Sequence, residues 1–423
     1  MEASSMDAVN YGQQKKPISS QWSLWLLWLI ASFFYLYQYI IRVLPSILMP
    51  EIMEKFQISA AIFGQFSGIY YIFYAGMHIP LGLLLDRVGP KVILPLCAAA
   101  TGLGLLPLVL TDLWIFPVIG RALIGLGSSG AILGVFKVIR MCFPAQHFTR
   151  MLGISVAIGL LGALYGGQPL NYLCNQFGWQ NLLYIICGCG LLLAVCLYKL
   201  CPALPKEDHA TDGPTIGIFE EIFTVLGNYR VLGICILGGL MVGPLEGFAD
   251  VWGVEFLKAV YQLPDSLAAS LPSLTFVGML IGSPVLSFIA DKSKAYVSLI
   301  IFSALIMGCA FLGIIHQFFT PSLLGVSFFI VGIFCAYQIP LIYLSTTFVQ
   351  ERFVGLTTSV ANMIIMFFGY FFHSSIGILL DKVATQPGQY TATDYQYAME
   401  IIPVSLLISA LTLYVFFKRK SRA

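Results

Sequence analysis

Long apolar stretches, separated by short polar segments, run along almost the whole chain. About 20 residues in an α-helix cross the roughly 30 Å of hydrocarbon in a bilayer, because the helix rises about 1.5 Å per residue. Twelve stretches are long enough, and they lie at roughly 22–49, 58–84, 91–111, 114–141, 148–173, 178–200, 229–258, 266–289, 295–316, 321–348, 353–380 and 398–417. The pattern therefore predicts an all-α membrane protein with twelve transmembrane helices.

A motif at residues 82–91 returns in degraded form at residues 287–294. The shift that aligns residue 82 with residue 287 also aligns Gln57 with Gln262, at the ends of the first and seventh stretches. A repeat this long indicates two pseudo-symmetric six-helix bundles in one chain, not a solenoid. The predicted organisation is an N-terminal bundle at 1–200, a polar linker at 201–228 and a C-terminal bundle at 229–423.

Composition and charge place these bundles in a bilayer. Hydrophobic residues make up 58% of the chain, charged residues 10%, and the mean hydropathy is +0.87, which leaves too little polar surface for a water-soluble globule. Most of the 22 Lys and Arg fall on one side of the predicted spans, and only Lys55, Lys258 and Lys382 fall in loops on the other. The positive-inside rule therefore predicts that both termini and the linker are cytoplasmic.

Two further inferences follow from the sequence as a whole. The net charge of +2 reflects this topology, so no nucleic-acid partner is expected. The chain has no Asn-x-Ser/Thr sequence, which is consistent with a bacterial inner membrane.

Two motifs carry a resemblance to the major facilitator superfamily. One is Arg121-x-x-x-Gly125-x-Gly127 in the fourth span, whose glycine-rich face is expected to permit tight helix packing. The other is the loop signature after the second span, formed by Gly82, Asp86, Arg87, Gly89 and Lys91. With twelve spans and the internal repeat, the chain resembles a carrier of this superfamily over essentially its whole length. The resemblance implies a secondary transporter whose two bundles rock around a midplane site.

The loop signature also predicts a conformational latch. Gly82 would let the second helix approach a neighbour closely, and Asp86 could bind the positive end of another helix or an Arg of the other half. Such a latch would hold the outward-facing state. The copy at Asp291 and Lys292 carries Ser287 in place of the glycine, so its latch should be weaker. The alternative is a merely solvated loop.

Three ionisable residues inside predicted spans are functional candidates, because a charge in the membrane costs a few kcal/mol or more. Arg42 in the first helix and Glu246 and Asp250 in the seventh lie at similar depth. The two acids are four residues apart and so share one helix face. Two such carboxylates cannot both ionise cheaply, so one is expected to carry a proton. Arg42 either binds a substrate anion while an acid takes the coupling proton, or pairs with Asp250 as an outer gate. The two roles are compatible.

Residues 39–51 resemble the first helix of organophosphate and anion carriers of the superfamily, in which an Arg contacts the substrate anion. Those carriers have a second Arg in the seventh helix, where this chain has acids, so a carboxylate or zwitterion is favoured over a phosphate. Tyr39, Tyr71 and Gln338 are the predicted hydrogen-bonding partners of the substrate.

Three other polar residues lie within predicted spans. For Arg121 the resemblance implies proton linkage, and a packing or hydrogen-bonding role is the alternative. Lys137 is expected to extend to the cytoplasm, and His373 is interpreted as a satisfied core histidine.

The leading functional hypothesis is proton-coupled uptake of a small organic anion or zwitterion, such as an amino acid, short peptide or carboxylate metabolite. Import of a carboxylate siderophore is an alternative. Export of an amphipathic metabolite or drug is another, which is disfavoured because Tyr165-Gly166 stands where the antiporter signature has Gly-Pro. The sequence contains no nucleophile elbow, metal cluster or phosphate loop, so it does not predict an enzyme. The expected carrier uses no cofactor or metal, couples to the proton gradient, and works as a monomer in the bilayer.

Overall fold

The computed structural model describes residues 21–202, 215–386 and 388–418. The first half is a series of helices joined by short loops. Its helices are α1 (Gln21–Phe56), α2 (Ala60–Arg87), α3 (Pro90–Leu103), a short turn of helix at Pro107–Leu110, α4 (Ile115–Cys142), a 3₁₀ turn at Ala145–His147, α5 (Phe148–Tyr165), α6 (Gln168–Phe177) and α7 (Trp179–Leu200).

The second half follows the same plan. It comprises α8 (Thr215–Gly227), α9 (Tyr229–Gly239), a π-helix (Gly243–Trp252), α10 (Gly253–Tyr261), α11 (Asp265–Ser270), α12 (Ser273–Ser293), α13 (Tyr296–Ile315), α14 (Pro321–Cys335), α15 (Gln338–Thr346), a 3₁₀ turn at Glu351–Phe353, α16 (Val354–Val383), α17 (Ala392–Met399) and α18 (Ile401–Lys418). Within the predicted linker, α8 is described and the segment 203–214 lies outside the described residues. The division into two domains stays a prediction.

The predicted number of membrane spans is confirmed. Eleven helices among the described residues are long and apolar enough to cross a membrane, and there are up to twelve if a bent pair counts as one span. That pair joins Arg150–Tyr165 to Gln168–Phe177 at an angle of 47°. The bend falls at Gly166 and Gly167, where the helical hydrogen-bond pattern is interrupted before Pro169.

The internal repeat is visible in the backbone. Gln57 and Gln262, which the sequence offset aligns, both adopt the left-handed conformation, with φ of 49° and 54°. Each ends the first span of its half. Residues other than glycine rarely adopt this conformation. Its occurrence at both aligned positions therefore indicates the same turn geometry in the two halves.

The end of the molecule where α1 begins and α2 finishes carries Arg87 and Arg140, and we call it the basic end. The opposite end is the one where α1 finishes and α2 begins, at Phe56 and Ala60. Because successive spans alternate in direction, α16 begins at the basic end and runs antiparallel to α2.

Glycines allow the closest helix contacts in the first half. A Cβ at Gly125 would overlap the carbonyl oxygen of Tyr70, and one at Gly127 would overlap that of Cys97. The tight packing predicted for this glycine-rich face of α4 is therefore confirmed. The close approach predicted at Gly82 is not made in this conformation, because a Cβ built there meets no atom of the described residues within 4 Å. It stays a prediction for the outward-facing state.

Candidate functional site

The seventh span is broken where it carries the two acids. The helix α9 stops at Gly239, and a turn leads into the π-helix Gly243–Trp252, which has Pro244 in its first turn. The sequence predicted one continuous α-helix here, and that prediction is wrong. Proline cannot donate a helical hydrogen bond, and π-helical segments occur mostly at functional sites. Interrupted helices of this kind line the midplane sites of transporters.

Arg42 joins the two halves of the molecule. Its Nε donates to Asp250 Oδ2 at 2.6 Å, and its terminal nitrogen Nη2 donates to Glu246 Oε2. Arg42 is 5% exposed and both acids are 0% exposed. The predicted match in depth between the first and seventh helices therefore corresponds to a direct ion pair. The expectation that both acids share one face is also met, because both bind the same guanidinium.

Tyr71 of α2 completes this cluster. Its hydroxyl donates to Glu246 Oε2 and to Asp250 Oδ2. Its ring centroid lies 5.3 Å from the guanidinium carbon of Arg42, and the Tyr39 ring lies 5.2 Å away on α1. Tyr71 was predicted to bind substrate, and in this conformation its hydroxyl is occupied by the acids. Both aromatic faces stabilise the buried cation.

The charges of the cluster do not balance if both acids are ionised. One guanidinium then faces two carboxylates in a buried environment, where an uncompensated charge is costly. The second oxygens, Glu246 Oε1 and Asp250 Oδ1, are buried and have no hydrogen-bond partner among the described residues. One proton shared by the pair removes the excess negative charge. The cluster is therefore suited to bind a proton or a cationic group.

His373 of α16 lies beside the cluster. Its Nε2 is 2.5 Å from the main-chain oxygen of Glu246, and its ring packs edge-on against Tyr71 at 5.2 Å between centroids. Its own carbonyl oxygen accepts a hydrogen bond from Trp252 Nε1 at 3.3 Å. Its Nδ1 has no partner among the described residues. The predicted satisfied histidine is thus satisfied at one ring nitrogen, and it links α16 to the π-helix.

Arg121 of α4 has a different environment. It is 2% exposed and donates to the main-chain oxygens of Ile41 and Arg42 at 3.2 Å each, and of Ser67 at 3.4 Å. Its guanidinium lies 4.9 Å from the centroid of the Tyr70 ring. These contacts tie α1 and α2 to α4. They favour the hydrogen-bonding alternative, while proton linkage stays a prediction.

The other predicted substrate contacts lie near this cluster or near a helix break. The Tyr39 ring packs between Tyr35, at 5.3 Å, and Phe276 of α12, at 6.3 Å between centroids. Gln338 begins α15, after the interruption that follows Cys335, and its buried Nε2 has no partner among the described residues. Substrate binding by these residues stays a prediction.

At the basic end, the predicted latch residues contact their own half. Asp86 accepts from Lys137 Nζ at 2.7 Å, and Asp291 accepts from the Tyr296 hydroxyl at 2.8 Å. Lys137 was expected to extend towards the end of its helix that the sequence places in the cytoplasm, and its ammonium does reach the basic end, where it pairs with the largely exposed Asp86. Arg87 and Lys292 are exposed beside these aspartates. Among the described residues these side chains form no latch between the halves in this conformation.

At the opposite end, the structure contains a contact between the halves that sequence reasoning missed. Asp381, near the end of α16, accepts hydrogen bonds from the backbone nitrogens of Ala60 and Ala61 at the start of α2. The signal was present in the sequence. Gly377-Ile-Leu-Leu-Asp381-Lys-Val matches Gly82-Leu-Leu-Leu-Asp86-Arg-Val almost residue for residue.

Together, the fold and this cluster define the class of protein. Two sets of membrane helices meet at buried charges, next to an interrupted helix, as in secondary transporters. The Major Facilitator Superfamily family model matches residues 22–373. The chain therefore belongs to the Major Facilitator Superfamily.

Several curated proteins are similar to parts of the chain. MFS-type transporter TOXA of Cochliobolus carbonum is 25% identical over 216 residues, which are 49% of this chain and 36% of that protein. Putative metabolite transport protein NicT of Pseudomonas putida is 26% identical over 187 residues, 42% of each. Lysosomal dipeptide transporter MFSD1 of Gallus gallus is 28% identical over 180 residues, 42% of this chain and 39% of that protein. The chain thus spans less than half the length of these relatives.

Solved structures confirm the fold. A bacterial homologue of the human lysosomal transporter Spinster, in an inward-facing and unoccupied conformation, superposes with a TM-score of 0.74 and 19% identity, covering 94% of this chain and 97% of that chain. The nucleoside transporter NupG superposes with a TM-score of 0.74 and 13% identity, covering 93% and 99%. The predicted two-bundle superfamily fold is therefore correct.

Proposed function

We propose that the protein is a proton-coupled secondary transporter that imports a small organic anion or zwitterion bearing a carboxylate. The observation that carries this proposal is the sharing of one buried guanidinium, that of Arg42, between two carboxylates of the other half. A guanidinium binds a carboxylate with two parallel hydrogen bonds, so a substrate carboxylate can compete for it with Glu246 and Asp250.

Competition for Arg42 couples the substrate to protons. When a substrate carboxylate takes the guanidinium, the two acids lose their counter-charge. Unpaired carboxylates in a buried site are costly, so the acids take up protons as the substrate binds. Protonation of the acids also weakens the ion pairs that join α1 to the π-helix, which allows the halves to separate at the opposite end before the substrate enters. Release of substrate and protons restores the ion pairs.

A zwitterion fits the cluster particularly well. An ammonium group would find acceptors in Glu246 Oε1 and Asp250 Oδ1, which have no partner among the described residues. Its carboxylate would occupy Arg42, and Tyr39, Tyr71 and Gln338 would supply further hydrogen bonds. One relative is described as a dipeptide transporter, and a dipeptide has this pair of charges. Carboxylate siderophores remain the second candidate, because they too would bind Arg42 through carboxylates.

We further place the basic end in the cytoplasm, from the positive-inside rule. In this orientation the ion pairs of Arg42 and the contact at Asp381 close the side that faces away from the cytoplasm. The proposed setting is a bacterial inner membrane, in which the protein works as a monomer. Import then begins when a protonated site opens outward and takes up the substrate.

Substrate identity can be tested by thermal stabilisation. The purified protein is heated with amino acids, dipeptides, di- and tricarboxylates, sugar phosphates or siderophores at two pH values, because a ligand raises the apparent stability by mass action. We expect a pH-dependent shift from a carboxylate-bearing compound, and no shift in Arg42→Ala. Shifts confined to bulky apolar cations would instead support export.

Proton coupling is tested in proteoliposomes with the compound found. In Glu246→Gln we expect accumulation driven by a proton gradient to be lost, while exchange of labelled for unlabelled substrate continues. The matched control is Glu255→Gln, which removes an acid that pairs with Lys258 at 3.0 Å outside the cluster. Equal loss of accumulation and exchange in Glu246→Gln would contradict the assignment of this acid as a proton carrier.

A further inference from the structure

The first turn of α2 is capped by the other half of the molecule. The cap position is occupied by Ser59, whose side chain makes no capping hydrogen bond. Instead, Ala60 N donates to Asp381 Oδ1 at 3.2 Å and Ala61 N donates to Asp381 Oδ2 at 3.0 Å. A carboxylate at this position satisfies free backbone donors and interacts favourably with the positive end of the helix.

Tyr390, in the segment that follows α16, completes the cap. Its hydroxyl donates to Asp381 Oδ1 at 2.6 Å and accepts from Ala60 N at 2.9 Å. Burial, followed by the bond to Asp381, raises the pKa of Tyr390, so the phenol keeps its proton at neutral pH. One carboxylate and one phenol of the second half therefore hold the start of a helix of the first half.

The two helices of this contact end in nearly the same sequence. Gly82 to Val88 closes α2 and Gly377 to Val383 closes α16, each with the aspartate in its last turn. Because the helices are antiparallel, Asp381 lies at the end where α2 begins, and Asp86 lies at the end where α16 begins. Like α2, α16 has no side-chain cap of its own, since Phe353 occupies its cap position.

The packing of α2 against α16 is tight at one end and open at the other. A Cβ at Gly64 would overlap the His373 carbonyl oxygen, and one at Gly377 would overlap that of Ala60. Gly82 follows Gly64 by roughly five α-helical turns and so shares its face, yet a Cβ there meets nothing within 4 Å. The same holds for Gly355 at the start of α16. The pair is therefore packed tightly at the opposite end, whereas Gly82 and Gly355 at the basic end make no such contact among the described residues.

We propose that Asp381 and Tyr390 form a latch between the halves that caps α2 and holds the opposite end closed in this conformation. Breaking this cap shifts the helix pair towards closure of the basic end, where the sequence predicted that Asp86 binds the positive end of another helix. In this conformation Asp86 is instead held by Lys137. The new assignment is the cap at Asp381 and its coupling to the far end of the same helix pair. It does not depend on the substrate or on the coupling ion.

Hydrogen exchange of the purified full-length protein, followed by mass spectrometry, tests this latch. In Asp381→Asn we expect the amides at the start of α2 to exchange about fivefold faster, because the substitution removes the negative charge and one of the two acceptor oxygens, a loss of about 1 kcal/mol. The amides at the start of α16 should exchange more slowly, because the population shifts towards closure of the basic end. Asp112→Asn is the matched control, since Asp112 pairs with Lys55 of its own half at the same end of the molecule, and it should change neither peptide.

Ala60→Pro tests the latch from the other helix. Proline is well tolerated as the first residue of a helix, and Ser59 already has the extended conformation that a following proline requires, with φ of −83° and ψ of 168°. The substitution removes the Ala60 N–H that Asp381 and Tyr390 bind. Because Ala60 is fully buried, the proline ring also occupies the space between this nitrogen and its two acceptors, so it should likewise slow exchange at the start of α16.

Three results would overturn the proposal. Unchanged exchange at the start of α2 in Asp381→Asn would show that Asp381 does not stabilise the start of α2. Faster exchange there without slower exchange at α16 would make the cap a local feature without coupling. Faster exchange at both helix starts would indicate loss of structure. If Asp381→Asn does not yield a folded protein, Tyr390→Phe gives the same test with a smaller expected change.

Discussion

Two buried arginines of the first half differ in what they bind. Arg42 and Arg121 are both nearly inaccessible, at 5% and 2% exposure, and each lies against one of two consecutive tyrosines, Tyr71 and Tyr70. Arg42 binds carboxylates of the other half. Arg121 binds main-chain oxygens of its own half. Two residues of the same type and similar burial therefore differ in role: Arg42 connects the two halves, and Arg121 connects helices within one half.

The difference shows which contacts a rocking motion can break. Bonds within one bundle move with the bundle, so the contacts of Arg121 can persist through the transport cycle. The bonds of Arg42 cross between the halves and must be exchanged when the halves separate. A buried charge in a membrane is thus a functional candidate because of its partners, and its burial alone does not distinguish a structural role from a transport role.

The largest expected effect separates the two arginines by transport rate. Arg42→Lys keeps the charge and loses the paired hydrogen bonds of the fork, which together contribute about 3 kcal/mol, so we expect uptake to fall about a hundredfold. Arg121→Lys can still reach main-chain oxygens and should lower uptake by less than about tenfold. Initial rates in proteoliposomes measure both. A larger loss in Arg121→Lys than in Arg42→Lys would break the comparison and support the proton-linkage role of Arg121.

The second expected effect is on stability and has the reverse order. Arg121→Leu leaves the main-chain oxygens of Ile41, Arg42 and Ser67 without this donor, at a cost of about 3 kcal/mol in the free energy of unfolding. Arg42→Leu should cost less than this when unfolding is measured at about pH 5, because Glu246 and Asp250 then bind protons at little cost. Thermal unfolding in detergent compares the two. Equal melting temperatures would show that the stability lost does not depend on what each arginine binds.

The smallest expected effect sharpens the comparison at the two tyrosines. Tyr71→Phe removes the hydroxyl that donates to both acids, and we expect uptake to fall about tenfold. Tyr70→Phe removes a 2.8 Å bond to Gln38 within the first half and keeps the ring against Arg121. It should lower stability by about 1 kcal/mol and leave uptake within about twofold. Initial uptake rates are measured for both variants. Slower uptake by Tyr70→Phe than by Tyr71→Phe would contradict the transport role of Tyr71.

Much of the fold and part of the site could be predicted from the sequence. The rise per residue of a helix is nearly constant, so counting along two spans placed Arg42 at the depth of Glu246 and Asp250. The glycines of α4 were also correctly predicted to allow tight packing. Both inferences depend on local geometry, which one helix determines for itself.

The features that escaped prediction depend on contacts between elements. The π-helix at 243–252 contains Pro244 and two glycines, which indicate an irregular helix but do not specify its form, so that form depends on what packs around it. Asp381 was missed because the internal repeat relates Asp86 to Asp291, in the equivalent helix of the other half. The pairing of α2 with α16 joins non-equivalent helices across the two halves, so the duplication gives no information about it.

The cap at Asp381 has a consequence for how the latch can be lost genetically. Its acceptors are side chains of Asp381 and Tyr390, whereas its donors are main-chain groups of Ala60 and Ala61. Many codon changes at 381 remove an acceptor, but at 60 or 61 only a codon for proline removes a donor. A random mutagenesis screen for carriers that leak at the closed end should therefore find loss of a bonding side chain only at 381 and 390, whereas hits at the buried Ala60 should be changes that add bulk.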